Sequence, residues 1–302
     1  MLVSRRHISS EYGCAPHAIR SLQIRASRLA TGIFAGEYLS AFRGRGIEFE
    51  EVRDYQPGDD VRTIDWNVTA RLDRPFVKRF VEERELTLLI LLDCSASMDF
   101  GTVHATKLQT AVEASALLSF AALRSNDRVG LMTYTDDVET FLSPAKGQRH
   151  VMRLVHQALT AAHGRANAFL ERALVQLNNV VKGKAIIFVF SDFLDQIPLQ
   201  PLASTAARHE VVSVIMRDPA ERELPSAGLV HLVDTENGTS RLIDSSSTAV
   251  RDSYRKHAAL RDEQIRRQLS SVGADLLSLD AGTPPLHPLI RFFRNRQQQR
   301  RC

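Results

Sequence analysis

The sequence is short of cysteine, of long apolar runs and of net charge, and each shortage removes a class of protein. Its three cysteines, Cys14, Cys94 and Cys302, are odd in number and widely separated in 302 residues. That spacing argues against a disulfide framework and suits a reducing compartment. No segment has the apolar length needed to cross a bilayer: Leu86–Leu92 and Ala111–Leu123 are too short, and the second contains Glu113. The opening stretch MLVSRRHISS is charged but has no apolar core behind it, so no signal peptide is expected and the expected location is cytoplasmic. Lys plus Arg total 39 against 35 for Asp plus Glu, so the net charge of +4 gives no strong preference for polyanions, and no nucleic-acid partner is expected. No G-x-x-x-x-G-K-[ST] run is present to cradle nucleotide phosphates. The ten histidines lack H-x-x-x-H spacing and no C-x-x-C occurs, so zinc is not expected.

What is present is enough apolar material, 44% of residues, for one large or two modest domains. From residue 85 onward strand-like and helix-like segments alternate, the pattern of a parallel sheet covered on both faces. Strands are expected at Leu86–Leu92, Arg128–Tyr134, Val138–Leu142, Ala185–Phe190, Val211–Met216 and Ala274–Leu279. Helices are expected at Lys107–Arg124, His150–Ala162, Ala168–Val181, Leu199–Arg208, Ser246–Ser271 and Pro284–Arg296. The polar turn Thr135-Asp136-Asp137 makes its two flanking strands a hairpin, hence one antiparallel strand. The first 84 residues differ. A helix at Ala15–Thr31, alternating residues in Ile47–Val52 and Phe76–Glu82, and a Pro57-Gly58 turn describe a small β-containing appendage.

The most apolar segment, Leu86–Leu92, ends at Asp93 and is followed by Cys94-Ser95-Ala96-Ser97; a second, Ala185–Phe190, ends at Ser191-Asp192. In open α/β sheets, ligands bind at the carboxyl ends of strands. If the two strands are neighbours, Asp93, Ser95, Ser97 and Asp192 form one oxygen-only cluster, suited to a hard cation such as Mg²⁺. Neutral hydroxyl ligands would leave such an ion able to accept a carboxylate from a partner. The alternative is plainer: Ser95 and Ser97 cap the following turn, and Asp93 is a solvated strand end.

The D-x-S-x-S pattern on a buried first strand, with this order of elements, resembles the von Willebrand factor type A domain and its metal-ion-dependent adhesion site. The run GRGIEFEEVRDYQPGDDVRTIDWNVTARLDRPFVKRFVEER narrows the likeness. It is similar to the signature of the domain-of-unknown-function family 58, with Gly46, Glu48, Phe49, Arg53, Tyr55, Pro57, Gly58, Asp59, Arg62, Asp65, Trp66 and Arg71 in matching places. The resemblance implies a Rossmann-like, mostly parallel sheet flanked by helices. It also implies a bacterial or archaeal protein acting as adaptor or substrate-recognition partner of a MoxR-type AAA+ ATPase and its clients. For the metal it implies Asp93, Ser95 and Ser97 as ligands, with Asp192 as the far carboxylate and Asp195 as a nearby substitute. The Thr ligand such sites take from a later loop is replaced here by Ala166, beside Asn167, so weak Mg²⁺ binding in the isolated chain is expected.

Other patterns have competing readings. The order Ser95, Asp192 or Asp218, His287 mimics a hydrolase triad, but Asp93 and Ser97 stand where a nucleophile elbow needs small residues. A hydrolase using Ser95 in the same crevice is therefore the alternative to a binding module. Trp66 is expected as a core anchor, Asp59-Asp60 as a solvated turn, and Arg62 with Asp65 as an ion pair. Arg291, Arg294, Arg296, Arg300 and Arg301, with Phe292 and Phe293, are expected to form a frayed, solvated end. The expected organisation is residues 1–84 as appendage, 85–283 as the α/β domain and 284–302 as a closing helix and basic tail.

Overall fold

The computed structural model describes residues 24–30, 32–42, 49–56, 58–61, 64–72, 74–80, 85–161, 168–233 and 240–299. Several sequence expectations fall outside these residues: Cys14, Cys302, Gly46, Glu48, Pro57, Arg62, Ala166, Asn167, Arg300, Arg301 and most of the Ala15–Thr31 helix.

Six strands form the central sheet: β3 (Thr87–Asp93), β4 (Arg128–Tyr134), β5 (Val138–Ala145), β6 (Ile186–Ser191), β7 (Glu210–Arg217) and β10 (Asp275–Asp280). Their order is β10-β7-β6-β3-β4-β5. All neighbours are parallel except β4 and β5, the expected hairpin. The middle strand reads TLLILLD because both its faces are covered. Leu88, Ile90 and Leu92 join one core and Leu89 and Leu91 the other. Each such fully buried side chain contributes about 1.5–3 kcal/mol.

The first face is covered by α1 (Ile33–Phe42), α3 (Lys107–Arg124), α4 (Gln148–Thr160) and α9 (Leu286–Gln299). The second is covered by α5 (Leu170–Val180), α6 (Leu199–Arg208) and α8 (Thr248–Ser271). This is the mostly parallel, doubly wound arrangement of a von Willebrand factor A-like fold. Among the described residues, no helix is long and apolar enough to cross a membrane.

Beside the sheet, β1 (Phe49–Asp54) and β2 (Phe76–Phe80) pair antiparallel, with α2 (Trp66–Leu72) between them in sequence. Asp59 departs from the solvated-turn expectation: Arg53 grips both its oxygens, at 2.6 and 2.8 Å. Asp65 accepts the N–H groups of Asn67 and Val68 at the start of α2. Trp66 corrects a second expectation. It is 69% exposed on a helix with no buried residue, so it anchors no core here. The basic end corrects a third, because α9 is packed rather than frayed. Phe293 is fully buried, Arg294 pairs with Glu37 at 2.8 Å, and Arg296 is held by Glu210 and Asp275. A further antiparallel pair, β8 (Leu229–Val233) and β9 (Ser240–Asp244), was not anticipated from the sequence; between it and β7 lies the one-turn helix α7 (Pro219–Arg222).

Candidate functional site

Because β3 and β6 are adjacent and parallel, both chain ends arrive at the same edge of the sheet. Asp93 closes β3, and its carboxylate is held from both sides. The Ser95 N–H donates to Oδ1 at 2.9 Å, and the Ser191 hydroxyl at the end of β6 donates to Oδ2 at 2.7 Å. A turn closed by Met98 N–H on Ser95 O brings the Ser95 and Ser97 oxygens to 3.1 Å. Asp192 follows β6, close enough to Ser97 for that hydroxyl to favour its ionised form, and its Oδ1 accepts the Leu194 N–H at 3.2 Å. The next residue, Phe193, is left-handed at φ 52°, and its N–H returns to the Ser191 hydroxyl at 3.0 Å. A left-handed non-glycine costs energy and persists only where its surroundings impose it. All four sequence-expected residues thus converge, and none is solvated. Asp93 and Ser95 are essentially inaccessible, Asp192 is 3% exposed and Ser97 8%. The solvated strand-end alternative for Asp93 does not hold.

The site contains a cation that sequence reasoning missed. Lys107 opens α3, after a reciprocal cap between Thr106 and Gln109. Its side chain is fully buried, with Nζ 2.6 Å from Asp192 Oδ2 and 2.6 Å from Glu221 Oε1. Glu221 belongs to α7, whose capping residue Asp218 also accepts the N–H and hydroxyl of Thr102. Arg217, buried and paired with Asp262, donates to the Asp192 carbonyl. Loop 93–106 and segment 217–222 are therefore tied together across the edge of the sheet.

Electrostatics separates the two aspartates. Burial and the neighbouring Asp192 charge push the Asp93 pKa up, against the hydrogen bonds from Ser95 and Ser191. Burial is the largest single influence on Asp192 and works against its ionised form, but the Lys107 charge and the hydrogen bonds from Lys107 and the Leu194 N–H together overcome it and hold the pKa below the usual carboxylate range. For Lys107, desolvation is overcome by Asp192 and Glu221, leaving its pKa raised.

In donor chemistry the cluster suits a hard divalent ion. Two cis ligands at ~2.1 Å on an octahedral Mg²⁺ lie ~3 Å apart, and the two seryl oxygens stand at 3.1 Å. Asp192 fits less well, since its carboxylate already faces an ammonium. Asp195 accepts the N–H of Ala168, just before α5, at 3.1 Å and so is engaged with a neighbouring segment. No group of three His, Cys, Asp or Glu side chains in metal-holding geometry occurs among the described residues. Of the hydrolase-like set, Asp218 caps α7, His287 is exposed at the start of α9, and no hydrogen bond joins Ser95 to a histidine among the described residues.

Several known proteins are similar to this chain. Uncharacterized protein Mb1516 of Mycobacterium bovis is 34% identical over 284 residues, covering 93% of this chain and 89% of its own. Uncharacterized protein Rv1480 of Mycobacterium tuberculosis matches to the same extent. Similar solved structures include BatB from Bacteroides thetaiotaomicron, at 13% identity and a TM-score of 0.45, covering 70% of this chain and 99% of that one. The SpRpn10 VWA domain is similar at 15% identity and a TM-score of 0.35, covering 68% of this chain and 94% of that one. The family described as "Protein of unknown function DUF58" matches residues 51–264, most of the chain and every residue of the site, and to that family the chain belongs.

Proposed function

We propose that this chain is a protein-interaction module whose docking centre is the carboxyl edge of β3 and β6. The observation that carries this is the convergence of Asp93, Ser95, Ser97 and Asp192 on one rim. Around that polar centre, Phe100 and Val103 are left 36% and 39% exposed, apolar surface of the kind protein partners cover. The Ser95 hydroxyl meets Ser97 rather than an imidazole, which supports binding over nucleophilic catalysis.

The resemblance stated above supports a MoxR-type AAA+ ATPase as the partner, with this chain as adaptor for its clients in the cytoplasm. Asp93, Ser95 and Ser97 would hold Mg²⁺, and the ion would supply an open position for an acidic side chain of that partner. With Ala166 where a threonine ligand is expected, the partner's oxygen completes the coordination, so the ion is held in the complex better than in the isolated chain.

The test is co-purification of wild type and Asp93→Ala with the candidate ATPase, each with Mg²⁺ and with chelator. Association is expected only for wild type with Mg²⁺. Equal association in all four conditions would place the docking surface elsewhere.

A further inference from the structure

Lys107 is in an unfavourable place by two independent criteria. It is the first residue of α3, where the helix dipole repels a positive charge. Its ammonium is also wholly removed from water, at a desolvation cost that only close, well-placed counter-charges offset. Both penalties are met by one arrangement: two carboxylates, from different loops, each 2.6 Å from Nζ. The Phe100 ring covers the amine from 6.0 Å. Of the two carboxylates, Asp192 is the one that the adhesion-site resemblance assigns to a divalent ion.

We propose that Lys107 is the resident cation of this rim: its ammonium holds the place on Asp192 that a metal would otherwise fill, so the isolated chain is organised without metal. An ion using Asp192 as a ligand would have to share that carboxylate with a fixed positive charge, and the repulsion lowers its affinity. Because Lys107 also grips Glu221, the same ammonium ties the start of α3 and the Asp192 end of β6 to α7 without any ion. The proposal deepens the docking reading by making Lys107 the residue that tunes metal affinity at the rim, and the reading matters to it only for that consequence.

The experiment uses the full chain alone, with Mn²⁺ as the probe, followed by spin resonance and by thermal unfolding in Mn²⁺, Mg²⁺ or chelator. Wild type and Lys107→Arg, which keep the charge, are expected to show the same melting temperature in all three and no tight Mn²⁺ site. Lys107→Met leaves Asp192 and Glu221 without their counter-ion, so it is expected to be destabilised in chelator. It should bind Mn²⁺ at least about 10-fold more tightly than wild type and regain stability when the ion is added. Adding Asp93→Ala to Lys107→Met should remove the gain, placing the ion at the rim. If Lys107→Met does not fold, Lys107→Met with Glu221→Gln removes one uncompensated carboxylate and is expected to show the same gain in affinity.

Tight Mn²⁺ binding by wild type that Asp93→Ala abolishes would overturn the proposal, as would a folded Lys107→Met with no gain. Neither result depends on a partner. Failure of the docking reading would appear instead in co-purification that Asp93→Ala leaves unchanged.

Discussion

His209, between α6 and β7, is 4% exposed, and among the described residues neither ring nitrogen has a partner. Burial, and then the nearby Arg208 charge, hold its pKa below the ordinary value. The unfolded chain therefore takes up the proton first. Stability is full above about pH 6.5 and falls as pH drops through that value, because protonation favours the unfolded state. His209→Leu removes the orphaned donor and acceptor at similar volume. It is expected to leave stability near wild type at pH 7.5 and to flatten the loss between pH 6.5 and 5, as read from urea melts at each pH. An unchanged acid limb would refute this. At the same scale, Asp93, Ser95, Ser97 and Asp192 were legible because an apolar strand that stops at a carboxylate is locally inconsistent, and such inconsistency marks function. Lys107 was not legible as a partner, since its two carboxylates lie 85 and 114 residues away. A weaker signal was available: a lysine at N1, just after a capping threonine, opposes the helix dipole and needs compensation from elsewhere.

Between the two serines and Lys107, loop 99–106 depends on close backbone approach at Gly101. A Cβ there would lie 2.6 Å from the Ala105 carbonyl oxygen and 2.7 Å from Thr106 Cα. Neither atom can move without displacing the start of α3. Gly101→Ala is expected to cost about 1–3 kcal/mol and to loosen the hold of Lys107 on Asp192. Gly183→Ala, where the new atom meets nothing within 4 Å, is the control and should be near neutral in the same urea melts. Equal effects would mean that the loop has slack. Elements held by local pattern were readable in the sequence, including the β4–β5 hairpin through its turn Thr135-Asp136-Asp137. The β8–β9 pair was missed although Asn237-Gly238, a strong hairpin signal, lies between its strands. Trp66 was misread because residue type suggests burial, whereas exposure depends on which tertiary neighbour is present. The basic run in α9 was misread for the converse reason. Arg296 is 8% exposed because Glu210 and Asp275 from two strands meet it, and no local pattern announces that.

In the whole molecule, the boundary drawn at residue 84 from composition does not separate α1 from the sheet. Phe34, Tyr38 and Phe42 of α1 share the core of the first face with Leu88, Ile90 and Phe188. Their rings surround Phe293 of α9 at 5.6, 5.9 and 5.7 Å, and Phe42 also meets Phe188 of β6 at 6.0 Å. Arg296 stacks over Phe42 at 4.7 Å. Two helices from distant parts of the chain thus close one face together, and neither can bury its aromatics alone. If they form one cooperative unit with the sheet, removing either ring should destabilise the whole. Phe42→Ala and Phe293→Ala are each expected to cost about 3–5 kcal/mol, in a single unfolding transition seen alike by fluorescence and circular dichroism. Because the rings touch, the double variant should cost less than the sum of the two, by about 0.5–3 kcal/mol. Strict additivity, or an early transition confined to α1, would mean that α1 is a separately folding attachment and that the boundary at residue 84 is a physical one.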